Sequence, residues 1–118
     1  MTEGVDSADT ELLALLNDEY ARTIIRETYA KRCSVGTLSQ ACDADPSTVY
    51  RRIDRLQERG LLTDHQELDP GGHHYKVYSA RVEHIAIDVT EEGFEITVDY
   101  AEPEAADRFT QLYEEFSG

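Results

Sequence analysis

The sequence predicts an α+β fold: three helical stretches, two β-hairpins and a closing helix. Three observations carry this. Apolar residues recur at helical spacing from Leu12 to Leu56, the period falls to two after Gly60, and two turn signals, Asp69-Pro70-Gly71-Gly72 and Thr90-Glu91-Glu92-Gly93, cut the alternating stretch into strands. The 118 residues suffice for one modest core and exclude large α/β enzyme folds and long repeat arrays.

Residues 1–8 are acidic and polar and read as a disordered tail. From Asp9 a stripe of Leu12, Leu13, Leu15, Leu16, Tyr20, Ile24, Ile25, Thr28 and Tyr29 predicts helix, with a break at Asn17-Asp18, since both residues prefer caps to helix interiors. Ser34 is placed to cap a short helix over about Val35 to Cys42, with Leu38 and Ala41 facing inward. Asp45-Pro46 opens the next helix, which Gly60 ends. Leu61 to Leu68 and His74 to Ala80 form the first predicted hairpin. Ile85, Ile87 and Val89 then alternate toward a second turn, and Phe94, Ile96, Val98 and Tyr100 return. Glu102-Pro103 opens a final helix whose apolar face is Phe109, Leu112, Tyr113 and Phe116, at i, i+3, i+4 and i+7. The expected organisation is a tail over 1–8, a main domain over 9–80, and a hairpin plus helix over 81–118.

Charge narrows the function. There are 25 Asp and Glu against 11 Lys and Arg, a net charge of −14. Residues 22–81 hold ten of the eleven basic side chains and eight acids; the remainder holds Arg108 and seventeen acids. A near-neutral to basic middle in an acidic chain marks a face that approaches a polyanion. Arginine outnumbers lysine nine to two, a lysine-poor acidic surface that fits a halophile. No stretch approaches the roughly 18 apolar residues of a spanning helix. The first residues lack the basic and apolar segments of a signal peptide, and two cysteines do not make a disulfide framework. A cytoplasmic protein is expected.

The helix after Asp45 carries the functional argument. At 100° per residue Val49, Ile53 and Leu56 form one buried stripe. Ser47, Thr48, Arg51, Asp54, Arg55 and Glu58 lie opposite, flanked by Tyr50 and Arg52. Arginine forks can pair with guanine O6 and N7, hydroxyls can take either base edge, and a tyrosine can hold a phosphate. The bland alternative is a solvated face in which the arginines pair with Asp54 and Glu58. A short helix, tight turn and second helix give helix-turn-helix spacing, and the following hairpin supplies a wing, whose His73, His74, Tyr75 and Lys76 stand near its tip. Arg51 and Arg55 are the expected base contacts. Thr37, Ser47, Tyr50, Arg52, Tyr75 and Lys76 are the expected backbone contacts, with Thr48, His73 and His74 beside them.

The runs Leu16-Asn17-Asp18-Glu19-Tyr20-Ala21-Arg22, Asp45-Pro46-Ser47-Thr48-Val49-Tyr50-Arg51-Arg52-Ile53-Asp54-Arg55-Leu56, Gly60-Leu61-Leu62 and Gly72-His73-His74, together with Tyr78, resemble the ArsR-like winged helix-turn-helix regulators abundant in haloarchaea. The likeness covers about residues 10–117. It implies a dimeric, DNA-binding transcription regulator, most simply a repressor. Metal-sensing members of the wider family carry a Cys-x-Cys motif that is missing here. His65, His73, His74 and His84 show no ligand spacing, so no metal and no cofactor is expected.

Cys33 and Cys42 admit two readings. Either Cys42 is a small buried residue and Cys33 a loop residue, or they respond to oxidants, Arg32 and a nearby helix N-terminus lowering the Cys33 pKa. They sit about 12 Å apart along a regular helix, too far for an undistorted disulfide. Homodimerisation is expected through Ile85, Ile87, Phe94, Ile96, Phe109, Leu112, Tyr113 and Phe116, unless the last helix packs on its own hairpin. A dimer sets two recognition helices roughly 34 Å apart. The competing class is a winged-helix adaptor that binds another protein of the transcription machinery. No phosphate loop, nucleophile triad or distinctive carboxylate pair argues for an enzyme.

Overall fold

The computed structural model describes residues 7–101. Four helices come first: α1 (Ser7–Asn17), α2 (Glu19–Ala30), α3 (Val35–Cys42) and α4 (Pro46–Glu58). Four strands follow: β1 (Leu62–Leu68), β2 (His74–Ala80), β3 (Val82–Thr90) and β4 (Gly93–Tyr100). They form two separate antiparallel hairpins, β1 with β2 and β3 with β4. The fold is α+β, a winged helix-turn-helix with an added hairpin. The expected closing helix, with Phe109, Leu112, Tyr113 and Phe116, lies outside the described residues.

The chain breaks between α1 and α2 where Asn17-Asp18 predicts it. Asp18 is extended and its carboxylate accepts from the Ala21 backbone N–H at 2.8 Å, an N-cap worth about 1 kcal/mol. Ser34 caps α3 in the same way, accepting from the Thr37 N–H at 3.2 Å. Asp45 occupies the cap position of α4, but only its backbone carbonyl is used, by the Thr48 and Val49 N–H groups. Pro46 supplies the preset φ of the first turn and lacks the N–H that turn would leave unpaired. Gly60, at φ 74°, ends α4 in the left-handed conformation that other residues adopt only with strain.

The core gathers one stripe from each helix. Leu12 and Leu15 come from α1, Ala21 and Ile24 from α2, Leu38 from α3, and Val49, Ile53 and Leu56 from α4, closed by Leu61, Leu62, Tyr78 and Val82. The three α4 residues are wholly buried, each contributing roughly 1.5–3 kcal/mol of transfer free energy. This seats one face of α4 firmly and leaves the other to solvent.

Four local expectations change. Helix begins at Ser7, inside the stretch read as a disordered tail, and the first strand begins at Leu62. Ala41 is exposed: α3 has only two turns, buries Leu38 and packs Val35 and Cys42 against the core, which leaves Ala41 outside. In β2 the period of two fails: Val77, Tyr78 and Ser79 are all buried. That end of the strand is covered on both faces, since Cys33 pairs with Tyr78 as a single antiparallel bridge, N–H to O at 3.0 and 2.8 Å, and α2 packs nearby. Cys33 is therefore a one-residue strand beside the wing and not a loop residue.

The second hairpin pairs Ile85 with Val98, Ile87 with Ile96 and Val89 with Phe94, so its apolar residues share one face. The inner end of that face, Ile85, Ile96 and Val98, packs on the core. The outer end does not: Ile87, Val89 and Phe94 are about half exposed or more.

Candidate nucleic-acid interface

The exposed side of α4 carries Ser47, Tyr50, Arg51, Asp54, Arg55 and Glu58, with Thr48 and Arg52 half-buried at its edges. The burial of Val49, Ile53 and Leu56 dictates this outcome. The guanidinium of Arg51 makes no hydrogen bond or ion pair among the described residues. Arg55 is likewise free of direct partners among them, though its charge reaches Asp18. The alternative pairing of these arginines with Asp54 and Glu58 does not form among the described residues.

Arg52 behaves differently from its neighbour. Its Nε donates to one oxygen of Asp18 and its Nη2 to the other, both at 3.1 Å, in a two-pronged ion pair. The guanidinium also lies over the Tyr20 ring, 5.5 Å from its centre. The Arg52 guanidinium holds the Asp18 carboxyl below the usual carboxylate range, and the Ala21 N–H adds to the effect. One carboxylate thus caps α2 and ties α4 to it. Arg52, expected on the DNA backbone, is held by Asp18 in this structure. Sequence reasoning found Asp18 only as a helix break; 34 positions separate it from Arg52, and no local pattern connects them.

The turn before α4 is tight. Asp43 sits in the left-handed conformation at φ 53° and its N–H bonds back to the Gln40 carbonyl. Thr37, at the start of α3, is exposed and shares its hydroxyl with Ser34 at 3.2 Å.

The wing displays every residue assigned to it. His73, His74, Tyr75 and Lys76 are all exposed, beyond a turn in which Gly72 stands at φ 85°. Yet carboxylates answer three of them. The Tyr75 hydroxyl donates to Glu67 at 3.2 Å, which pushes its pKa up. Lys76 Nζ lies 3.8 Å from Asp64, and His73 Nδ1 lies 3.4 Å from Asp69. Cross-strand register imposes two of these contacts, because β1 places Glu67 opposite Tyr75 and Gln66 opposite Lys76, with Asp64 two positions along.

The cysteines do not have the chemistry expected of an oxidant sensor. Cys33 is 2% exposed, and its thiol faces the backbone carbonyls of Lys31 and Glu27 at 3.4 and 3.5 Å. Burial pushes its pKa up, reinforced by the charge of Glu27; Lys31 offsets this only in part. Arg32 is not among the charges that act on it. Cys42 is the less buried of the two, and burial with Asp18 and Glu27 raises its pKa as well. Both are free thiols, and protonated thiols are poor nucleophiles. Among the described residues no three His, Cys, Asp or Glu side chains gather to hold a metal ion. None of the described helices is long and apolar enough to cross a membrane.

Comparison with known families places this geometry. Residues 15–65, from the end of α1 to the middle of β1, match the family model described as a helix-turn-helix domain. That stretch is similar to a helix-turn-helix domain, and α3 and α4 lie within it. No curated protein matches the chain.

Proposed function

We propose that the chain is a sequence-specific, double-stranded-DNA-binding transcription regulator that works in the cytoplasm as a homodimer, most simply as a repressor that occludes a promoter. The observation that carries this reading is the exposed, unpartnered Arg51 on a helix whose opposite face is wholly buried. Such a helix can enter the major groove without unfolding anything. Arg51 and Arg55 would read base edges; Ser47, Thr48, Tyr50 and Thr37 would set the backbone register.

The acidic composition fits the haloarchaeal kind of regulator and sets the energetics. About six phosphate contacts give a slope near −5 in log salt, so a tenfold rise in salt costs on the order of 10⁵ in affinity. With a net charge of −14, binding in concentrated salt must rest on base-edge hydrogen bonds, apolar contact and shape. The outer face of the second hairpin, Ile87, Val89 and Phe94, supplies a self-complementary apolar surface for the dimer. Ile85 and Ile96 support it from the core side.

Immunoprecipitation of the chain with its bound genomic DNA tests the reading. A shared pseudo-palindromic motif with half-sites about one helical turn apart is the expected result. Recovery of DNA without any motif, alongside a stable complex with another polypeptide, would favour the winged-helix adaptor, a role the carboxylate-paired wing also suits.

A further inference from the structure

A groove of about 570 Å³ runs between α2 and the start of β3. Ile25 and Ile85 line it, Tyr29 stands 61% exposed on its wall, and Arg22 and Arg26 stand on the α2 side against Glu83 on the other. It lies away from the exposed face of α4. No described residue fills it.

Its occupant can be argued from the place where the described chain leaves off. The Ala101 N–H donates to the Arg81 carbonyl, which sets Ala101 beside Val82, the first β3 residue of the groove. Residues 102–118 follow, long enough for about 25 Å of helix. Their apolar positions Phe109, Leu112, Tyr113 and Phe116 span about 10 Å on one helical face, and the α2 wall from Arg22 to Ala30 runs about 12 Å. Charge agrees with length. The segment carries five carboxylates against Arg108 alone, a net −4, and meets Arg22, which donates to the Leu16 carbonyl, and Arg26, 3.6 Å from Glu27, with Glu83 across the groove.

We propose that residues 102–118 fold back as an amphipathic helix into the groove of their own chain, with the apolar stripe against Ile25, Tyr29 and Ile85 and the carboxylates toward Arg22 and Arg26. The closing segment then covers the α2–β3 seam, and the hairpin face of Ile87, Val89 and Phe94 remains for the second copy. This goes beyond the regulatory reading and does not depend on it, because its test uses no DNA.

The test is oxidative cross-linking of full-length chains carrying Tyr29→Cys with Leu112→Cys, and separately Tyr29→Cys with Tyr113→Cys. Tyr29→Cys alone is the control for the native thiols. The two pairs cover both neighbouring positions of the stripe. A cross-link within one chain, seen as a monomer that has lost two hydrogens, is the expected result in at least one pair. Adding Arg22→Glu and Arg26→Glu should slow its formation about two- to fivefold. A cross-linked dimer would show that a second copy fills the groove, and absence of any cross-link in both pairs would also overturn the proposal. The unaltered protein gives an independent reading: docking should slow tryptic cleavage after Arg108 at least about tenfold relative to a synthetic peptide of residues 102–118. Equal rates would contradict it.

Discussion

The recognition helix and the wing expose similar chemistry but differ in what already holds it. On α4, Arg51 projects with no partner among the described residues, and Arg55 feels only the more distant charge of Asp18. On the wing, Lys76 faces Asp64, Tyr75 donates to Glu67, and His73 stands by Asp69. A phosphate approaching the wing would meet carboxylates already paired with its side chains, whereas Arg51 has no such partner to give up among the described residues. Both regions expose basic side chains, and their surroundings separate them. Arg52 repeats the lesson within α4, since of Arg51, Arg52 and Arg55 it alone is paired with a carboxylate among the described residues.

The largest effect should fall on Arg51. Arg51→Ala is expected to weaken binding to the specific operator about tenfold to a hundredfold, the cost of one lost two-pronged base contact, and to leave scrambled duplex nearly unchanged. Gel shifts on both duplexes at fixed salt check this; equal loss on the two would refute the assignment.

Next comes the Asp18–Arg52 pair. Asp18→Ala removes the α2 cap and the Arg52 pair together and should cost about 1–2 kcal/mol, a fall in Tm of roughly 5 °C. A double-mutant cycle with Arg52→Ala isolates the pair from the cap. The effect depends on pH in a defined direction. Asp18 titrates below its ordinary 3.8 in the fold, so its contribution is complete above that value and disappears as pH falls through the lowered one. The advantage of the native protein over Asp18→Asn in thermal melts should therefore hold from pH 7 to 5 and shrink below about pH 4. Equal melting of the two proteins at pH 7 would mean that the pair contributes nothing.

Smaller effects belong to the wing. Lys76→Ala should weaken binding about twofold on every sequence and reduce the salt slope by no more than about one. Asp64→Asn should do the opposite and strengthen binding about two- to threefold, by freeing Lys76. If Asp64→Asn leaves affinity unchanged, the wing does not touch DNA.

Much of this was legible in the sequence because it is local. The change of period after Gly60, the Asp-Pro start of α4, the glycine turn of the wing and the break at Asn17-Asp18 each follow from neighbouring residues. The exposed face of α4 was legible too, since three buried positions on a helix fix the opposite side. What escaped was long-range. The Asp18–Arg52 pair joins two helices, the Cys33 bridge to Tyr78 turns an apparent loop into a strand and buries the thiol, and the wing's ion pairs depend on register. The Asp18 partner of Arg52 and the burial of Cys33 are both invisible to a reading of sequence neighbours alone.

The most direct test of base reading by α4 is methylation interference at guanine N7 across the selected operator, with the native chain and Arg51→Ala compared. One guanine in each half-site should block native binding when methylated and lose that power against Arg51→Ala, with the rest of the pattern intact. An interference pattern identical for the two proteins would contradict the claim that Arg51 reads the major groove.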